Sequence, residues 1–232
     1  MTKQHESHPS RGLLYMAASH IGNAEDTPLR TLKVLRECEL LIFEEDRPAR
    51  QLLKQAGIQR PYLKYNEHHP QDVLDLAEEA LRAGKAVVYV SDQGCPTLAD
   101  PGRELLVRAY ASQAQVRVIP GPSSVTAAIS ACPFSMESFR FCGFLPAQME
   151  KRELELESLR NQSVPLVILD TPYRLEALLA SCAKVFGSSK KAFLALDITG
   201  EEEAYVLGNF KHLSEAMRGK KLNFVLIIQG KD

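Results

Sequence analysis

Short, nearly continuous apolar stretches alternate with amphipathic stretches along the first half of the chain. The apolar stretches at residues 13–18, 40–43, 86–90 and 116–119 are strand-sized, and an apolar run without alternation is typical of a strand covered on both faces. Apolar side chains recur at helical spacing between them, most clearly over residues 71–83. This β-α-β-α-β order predicts an α/β fold with a mostly parallel sheet and helices on both faces.

The start of the first helix is predicted from a Thr-Pro pair. Thr27 is expected to be the N-cap and Pro28 the first helical residue, because proline is tolerated where no backbone donor is needed. The apolar face of this helix is expected to comprise Leu29, Leu32, Val34 and Leu35.

The pattern of apolar stretches in the second half of the chain predicts a mixed α/β sheet with some antiparallel pairing. Strand-like stretches lie at residues 139–144, 166–169, 192–198, 205–207 and 223–228, and helical ones at 124–131, 175–185 and 213–217. The P-G-P-S-S turn at residues 120–124 separates the two halves. We therefore expect a leader at residues 1–12, an N-terminal α/β domain at 13–120 and a C-terminal α/β domain at 121–232.

Composition narrows the classes of protein that fit. Hydrophobic residues make up 45% and charged residues 25%, as in ordinary globular proteins. The net charge of −1 means that any nucleic acid must be held by a local basic patch. No apolar stretch is long enough for a membrane span. The five cysteines show no C-x-x-C spacing, which favours free thiols and a cytoplasmic protein.

Three loops after predicted strands have the composition of a ligand site, at residues 19–23, 91–102 and 121–124. In open α/β sheets, ligands bind at the carboxyl ends of the strands. None of the three loops carries the glycine pattern that cradles a pyrophosphate. A cofactor without phosphates therefore fits them better, although each loop taken singly is also compatible with an ordinary turn or helix cap.

Titratable side chains near these loops offer acid–base chemistry. Three acids follow the second strand at residues 44–46, and they are also compatible with the start of the next helix. Glu67 and His68 form a second group, with a carboxylate beside an imidazole. A metal site would need a further ligand that the sequence does not supply, so no metal is predicted.

These motifs, in this order, resemble the tetrapyrrole-methylase superfamily. The family pattern T-P-I-G-N corresponds to S-H-I-G-N at residues 19–23, and S-D-A-G-T-P to S-D-Q-G-C-P at 91–96. P-G-P-S is intact at residues 120–123 and G-F-L-P at 143–146, while S-P-H-R-L becomes T-P-Y-R-L at 171–175. The resemblance runs from about residue 13 to residue 230. It is strongest to the branch that methylates a cytidine ribose 2′-hydroxyl in small-subunit ribosomal RNA.

The resemblance implies a methyltransferase with S-adenosylmethionine in the cleft between two α/β domains, and a homodimer. Glu45, Glu67 and His68 are expected to face the methyl acceptor. The cofactor contacts that it implies are His20, Ile21, Gly22, Asp92, Gly94, Cys95, Leu98, Ser123, Ser124, Leu169, Leu196 and Phe224.

Departures from the family pattern leave three functions open. The family's E-D-T-R is E-E-D-R at residues 44–47, and its cofactor-loop threonine is Cys95. The chain is also expected to be a short, divergent branch that stops before the ribosomal enzymes do. The three functions that stay open are those of an RNA 2′-O-methyltransferase, of a methylase that acts on a tetrapyrrole or other small molecule, and of a cofactor-binding protein without turnover. RNA would need a basic surface, for which the sequence offers Arg47, Arg50, Lys54, Arg60, Lys64, Lys151 and Arg152.

Overall fold

The computed structural model describes residues 11–65 and 70–231. The chain divides into two compact units between Ser123 and Ser124, three residues beyond the predicted boundary.

The first unit contains a five-stranded sheet in which every pairing is parallel. Its strands are β1 (Leu13–Ala17), β2 (Leu40–Phe43), β3 (Leu63–Lys64), β4 (Ala86–Val90) and β5 (Gln115–Ile119). Its helices are α1 (Leu29–Glu37), α2 (Asp46–Ala56), α3 (Pro70–Arg82) and α4 (Arg103–Ala111). The strand order is β3-β2-β4-β1-β5. The predicted parallel α/β sheet is confirmed.

Helices cover both faces of this sheet because the buried strands are apolar on both sides. Leu35 and Leu52, from α1 and α2, pack with Val88 on one face. Ala77 and Leu105, from α3 and α4, pack with the opposite face. This is the arrangement that the unbroken apolar strands predict.

The strand order creates a crevice at the carboxyl ends of β1 and β4. These two strands are neighbours, yet β1 connects to β2 on the far side of β4, and β4 connects to β5 on the far side of β1. The two loops therefore leave the sheet in opposite directions. Ligands of open α/β sheets bind at such a point.

The start of α1 differs from the prediction. The helix begins at Leu29, and Pro28 is the capping residue in extended conformation. The Thr27 hydroxyl is buried without a hydrogen-bond partner in the described part of the chain, whereas the Thr31 hydroxyl donates to the Ala18 carbonyl at 2.8 Å. Leu29 is 83% exposed, so it does not belong to the apolar face. Helical spacing alone does not show that the packed face begins only after Leu29.

The second unit contains a mixed five-stranded sheet of order β6-β7-β10-β8-β9. Its strands are β6 (Arg140–Phe144), β7 (Leu166–Asp170), β8 (Lys191–Leu196), β9 (Ala204–Asn209) and β10 (Phe224–Ile228). Its helices are α5 (Ser124–Ala131), α6 (Met149–Leu159), α7 (Leu175–Phe186) and α8 (Phe210–Ala216). Only β6 and β7 pair in parallel. This confirms the predicted mixture.

Helices α6, α7 and α8 bury one face of the second sheet. Leu156, Leu178 and Phe210, one from each helix, are fully buried together with Leu194 of β8. The predicted last helix, at residues 213–217, starts three residues earlier because the Asn209 side chain caps it by accepting the His212 N–H.

Candidate active site at the carboxyl edge of the first sheet

Backbone hydrogen bonds join the loops that follow β1 and β4. The Ser19 N–H donates to the Gly94 carbonyl at 2.9 Å, and the Gly94 N–H donates to the His20 carbonyl at 3.2 Å. The buried Ser19 hydroxyl donates to the Ser91 carbonyl at 3.1 Å. Two of the three loops singled out in the sequence are therefore joined directly.

The third loop, at residues 121–124, approaches the same position at Gly94. The Cys95 Sγ lies 3.6 Å from the Pro122 carbonyl oxygen. Gly94 has a φ of +73°, and a Cβ placed on it would lie 3.1 Å from that same oxygen and 3.2 Å from Ile21 Cγ2. Only glycine fits such a conformation and such a close approach without strain. Residues 20, 94 and 123 thus belong to one cluster.

The loop after β4 stores backbone strain. Thr97 has a φ of +71° and Ala99 a φ of +65°, in the left-handed region that is costly for a residue with a Cβ and most of all for a β-branched one. The Tyr89 hydroxyl donates to the Pro101 carbonyl at 3.2 Å, which ties the loop to the sheet. Strain of this kind concentrates at functional sites.

A cavity of about 330 Å³ opens beside these loops. It is lined by His20, Glu44, Pro48, Gln51, Asp92, Gln93 and Asp100. Three of these side chains are carboxyls. The Nδ1 atom of His20 is buried and has no hydrogen-bond partner among the described residues. The cavity is therefore acidic, with one unsatisfied imidazole nitrogen at its wall.

The carboxyl groups are linked through the backbone. The Asp92 N–H donates to Glu44 Oε2 at 3.3 Å, and the Glu45 N–H donates to Asp92 Oδ1 at 3.1 Å. These two hydrogen bonds connect the loops after β2 and β4. They fix the positions of Glu44 and Asp92 relative to each other.

Burial shifts the acid–base behaviour of this cluster. Partial burial, together with the nearby charges of Asp92, Asp100 and Glu45, raises the pKa of Glu44 from 4.5 to about 7, although the hydrogen bond from the Asp92 N–H acts in the opposite direction. Burial and the Asp92 charge raise the pKa of Asp100 to about 6. The pKa of Asp92 is also raised, chiefly by burial. Glu44 therefore changes charge near neutral pH.

The other residues predicted from the sequence lie at different depths. Glu45, beside Glu44, has an exposed side chain, while Gly22 and Leu98 are exposed and Cys95 is partly buried. Glu67 and His68 lie outside the described residues. Glu44 and Asp100 line the cavity, although neither was preferred to its acidic neighbours from the sequence. Their position in the loops after β2 and β4 is the signal that the sequence offers, but it does not separate Glu44 from Glu45.

The residues predicted in the second unit lie at one end of its sheet. Phe224 pairs with Leu196 across β10 and β8, and Leu169 pairs with Val225. Leu196 and Phe224 are buried on the helix-covered face, so Leu169 points to the opposite face. Their role in binding a cofactor stays a prediction.

Three cations expected on a basic surface contact other groups of the fold, although Lys64 stays exposed. Arg152 is 4% exposed and donates to the Ser181 hydroxyl at 3.0 Å. The Arg60 guanidinium donates to backbone carbonyls at the end of α1 and beyond, including that of Arg36. Lys64 forms an ion pair with Asp46 at 3.3 Å. Sequence spacing does not distinguish such cations from solvent-facing ones.

A metal site, a membrane-spanning helix and a disulfide each have structural requirements that the described ranges do not meet. Residues 11–65 and 70–231 hold no group of three or more His, Cys, Asp or Glu side chains arranged for a metal ion. No helix there has the length and apolar character needed to cross a membrane. The five cysteines are all free thiols.

The chain matches the family of tetrapyrrole (corrin/porphyrin) methylases over residues 14–214. A match over this much of the sequence shows that it belongs to that family, and the protein is a methyltransferase.

The names of its relatives indicate a narrower group within this family. The chain is 31% identical over 223 residues to a Thermotoga maritima protein named ribosomal RNA small subunit methyltransferase I, covering 95% of this chain and 100% of that one. A Pasteurella multocida protein of the same name is 32% identical over 226 residues, covering 95% of this chain and 80% of the relative. The expectation that the ribosomal enzymes extend beyond this chain is wrong for the first of them, which is matched over its whole length.

Solved structures share the fold. Diphthine synthase superposes with a TM-score of 0.72 at 16% identity, covering 94% of this chain and 90% of that one. Uroporphyrin-III-C-methyltransferase from Thermus thermophilus superposes with a TM-score of 0.66 at 19% identity, covering 94% of each chain. At these identities the likeness shows the fold alone.

The raised pKa of Glu44 predicts how stability depends on pH. The native state holds the Glu44 proton more tightly than the unfolded chain, so the stability contributed by this group falls as pH rises from 4.5 to about 7. Glu44→Gln should therefore be more stable than the wild type at pH 8, by on the order of 1 kcal/mol after solvent screening. The difference should vanish at pH 4.

Urea unfolding of both proteins at pH 4, 6 and 8 measures this difference. Asp100→Asn should change stability in the same direction, because the pKa of Asp100 is raised to about 6. A wild type that gains stability over Glu44→Gln as pH rises would contradict the assignment.

Proposed function

We propose that this methyltransferase uses S-adenosylmethionine to methylate a ribose 2′-hydroxyl of small-subunit ribosomal RNA. The observation that supports the cofactor most strongly is the closure of three loops around Gly94, whose missing Cβ leaves room between Ile21 and the Pro122 carbonyl. The acceptor is inferred from the names of two relatives and from the motifs.

The chemistry of the loops fits this cofactor. The cavity next to Gly94 is lined by three carboxyls, which repel phosphates and favour a cation. S-adenosylmethionine has a sulfonium and an ammonium group and no phosphate. We expect Asp92 to accept hydrogen bonds from ribose hydroxyls or from the ammonium group. Backbone N–H groups at Ser123 and Ser124, where α5 begins, suit its carboxylate.

Methyl transfer does not require a covalent intermediate with the protein. Bound S-adenosylmethionine supplies a methyl carbon that is already electrophilic. The chain must orient the acceptor oxygen and exclude water. A ribose hydroxyl is a weak acid, so a base that takes its proton raises the rate.

We propose Glu44 as that base. Its side chain lines the cavity, its carboxylate is held by the Asp92 N–H, and its pKa of about 7 matches the operating pH of an efficient general base. The proton of the hydroxyl passes to the Glu44 carboxylate and from there to solvent. Glu45, Glu67 and His68 remain candidates for orienting the acceptor.

Two further proposals concern the location and the assembly of the protein. A ribosomal RNA substrate would place the enzyme in the cytoplasm, in keeping with its five free thiols. The family resemblance also suggests a homodimer, which sedimentation at several protein concentrations would test.

The cofactor site is tested by paired glycine substitutions. Gly94→Ala should weaken S-adenosylmethionine binding at least tenfold, about 1.4 kcal/mol, because its Cβ would lie 3.1 Å from the Pro122 carbonyl oxygen. Gly57→Ala is the matched control, since Gly57 has a φ of +68° and no atom within 4 Å of the added Cβ. Calorimetric titration of both variants measures the affinities. Equal affinities would place the cofactor elsewhere.

The acceptor is tested by label transfer. Protein incubated with methyl-labelled S-adenosylmethionine and with small ribosomal subunits lacking this modification should label the rRNA. The label should survive in an alkali-resistant dinucleotide, because a 2′-O-methyl group blocks strand cleavage at that ribose. Label in a porphyrin or another small molecule instead would favour the tetrapyrrole alternative. Tight cofactor binding without any labelled product would favour a protein without turnover.

The base is tested by comparing two neighbouring glutamates. Glu44→Gln should lower the rate of methyl transfer about 100-fold or more, and the wild-type rate should rise with pH and level off above about 7. Glu45→Gln should lose much less, because its side chain is exposed. Single-turnover rates from pH 5.5 to 9 measure both. A larger loss in Glu45→Gln would assign the base to Glu45.

A further inference from the structure

An exposed tyrosine stands at the end of the second sheet that carries the predicted cofactor residues. Tyr173 is 81% exposed and belongs to the short 3-10 helix Pro172–Arg174 that follows β7. It lies in the T-P-Y-R-L motif, which the proposed active site does not use. A large aromatic ring this exposed makes no contribution to the core.

The backbone under Tyr173 is held firmly. Arg174 donates through Nη2 to the carbonyls of Leu145 and Pro146, at 2.7 and 2.8 Å. Its Nε lies 3.2 Å from Oδ1 of Asp170, whose side chain is fully buried. These contacts tie the T-P-Y-R-L motif to the G-F-L-P motif. The ring is therefore presented from a rigid base, which reduces the entropy lost on binding.

A basic loop lies against the same ring. Arg218, Lys220 and Lys221 follow α8, and the Lys221 ammonium lies 5.4 Å from the centroid of the Tyr173 ring. The Gly219 N–H donates to the Glu176 carboxylate on α7, which fixes the loop beside Tyr173. Across the two described stretches of the chain, none of the three cations forms an ion pair.

The loop is basic although the chain as a whole is not. Net charge is −1 for the whole protein, whereas this loop carries three cations, and one of them, Lys221, lies over the exposed aromatic ring. Cations bind phosphates, and a ring face stacks on any nucleobase. Single-stranded nucleic acids are recognised by this combination.

We propose that Tyr173, Arg218, Lys220 and Lys221 form a binding surface for a single-stranded segment of RNA. One base stacks on the Tyr173 ring, and the neighbouring phosphates contact the three cations. This proposal rests on the proposed function, because an RNA acceptor is what such a surface would hold. It assigns substrate affinity to the second unit, whereas the cavity at Glu44 belongs to the first.

Fluorescence anisotropy with a labelled single-stranded RNA 12-mer tests the surface in the full-length protein. Tyr173→Ala should weaken binding about tenfold, whereas Tyr173→Phe, which keeps the ring, should stay within about twofold. Tyr110→Ala is the matched control, because Tyr110 is 67% exposed on α4 of the other unit, and it should not change the affinity.

Salt dependence tests the cations separately. A plot of log affinity against log salt concentration becomes shallower by about 0.7 for each phosphate of a single strand that the protein no longer neutralises. The double variant Lys220→Ala/Lys221→Ala should therefore show a slope smaller by about 1.4 than the wild type. Calorimetric affinity for S-adenosylmethionine should be unchanged in all of these variants.

Three results would overturn the proposal. The first is a wild type that does not bind the RNA, and the second is Tyr173→Ala with wild-type affinity and salt slope. The third is Tyr173→Ala that changes the oligomeric state in sedimentation but not RNA affinity, because the surface would then hold a second copy of the chain. The two proposals can also be separated. If Tyr173→Ala loses RNA affinity while the wild type transfers no methyl group to rRNA, the binding surface is supported and the proposed function is refuted.

Discussion

The site depends on one close approach of backbone to backbone at Gly94. Its carbonyl accepts the Ser19 N–H and its N–H donates to the His20 carbonyl, while the absent side chain lets the Pro122 carbonyl come near. A parallel sheet brings the loops after β1, β4 and β5 to one edge, but it does not join them. A left-handed glycine at their meeting point does, and the strained residues Thr97 and Ala99 persist because the loop is fixed at both ends.

The same closure explains the electrostatics of the cavity. Joining the loops after β2 and β4 brings Glu44 and Asp92 together, and partial burial removes some of the water that would stabilise their charges. Carboxyls placed this close are costly to ionise together, so the pKa of Glu44 rises to about 7. The fold thus produces a carboxyl group that exchanges a proton near neutral pH.

Much of the fold and of the candidate site could be predicted because both follow from local patterns. Unbroken apolar strands such as β4 predicted a sheet covered on both faces, and the three loops were identifiable because each follows a strand. The errors at the starts of α1 and α8 concern local capping, and the others concern interactions between residues distant in sequence. Arg152 was expected on the surface, but it bonds to Ser181. Which acid of the run at residues 44–46 lines the cavity could not be predicted either, because Glu44 and Glu45 differ only in the direction their side chains take from the strand end.

The proposed RNA acceptor is a polyanion, whereas the cavity at Glu44 is acidic, and this combination poses an electrostatic problem. Carboxylates near Gly94 favour a cationic cofactor but repel phosphates, so the cavity itself cannot supply affinity for RNA. That affinity must come from cations elsewhere on the chain, and two of the cations expected from the sequence, Arg60 and Arg152, are engaged in the fold. Lys221, by contrast, lies over the exposed Tyr173 ring. The proposed base and the proposed phosphate contacts therefore belong to different units of the chain, so each can keep the sign of charge that its task requires.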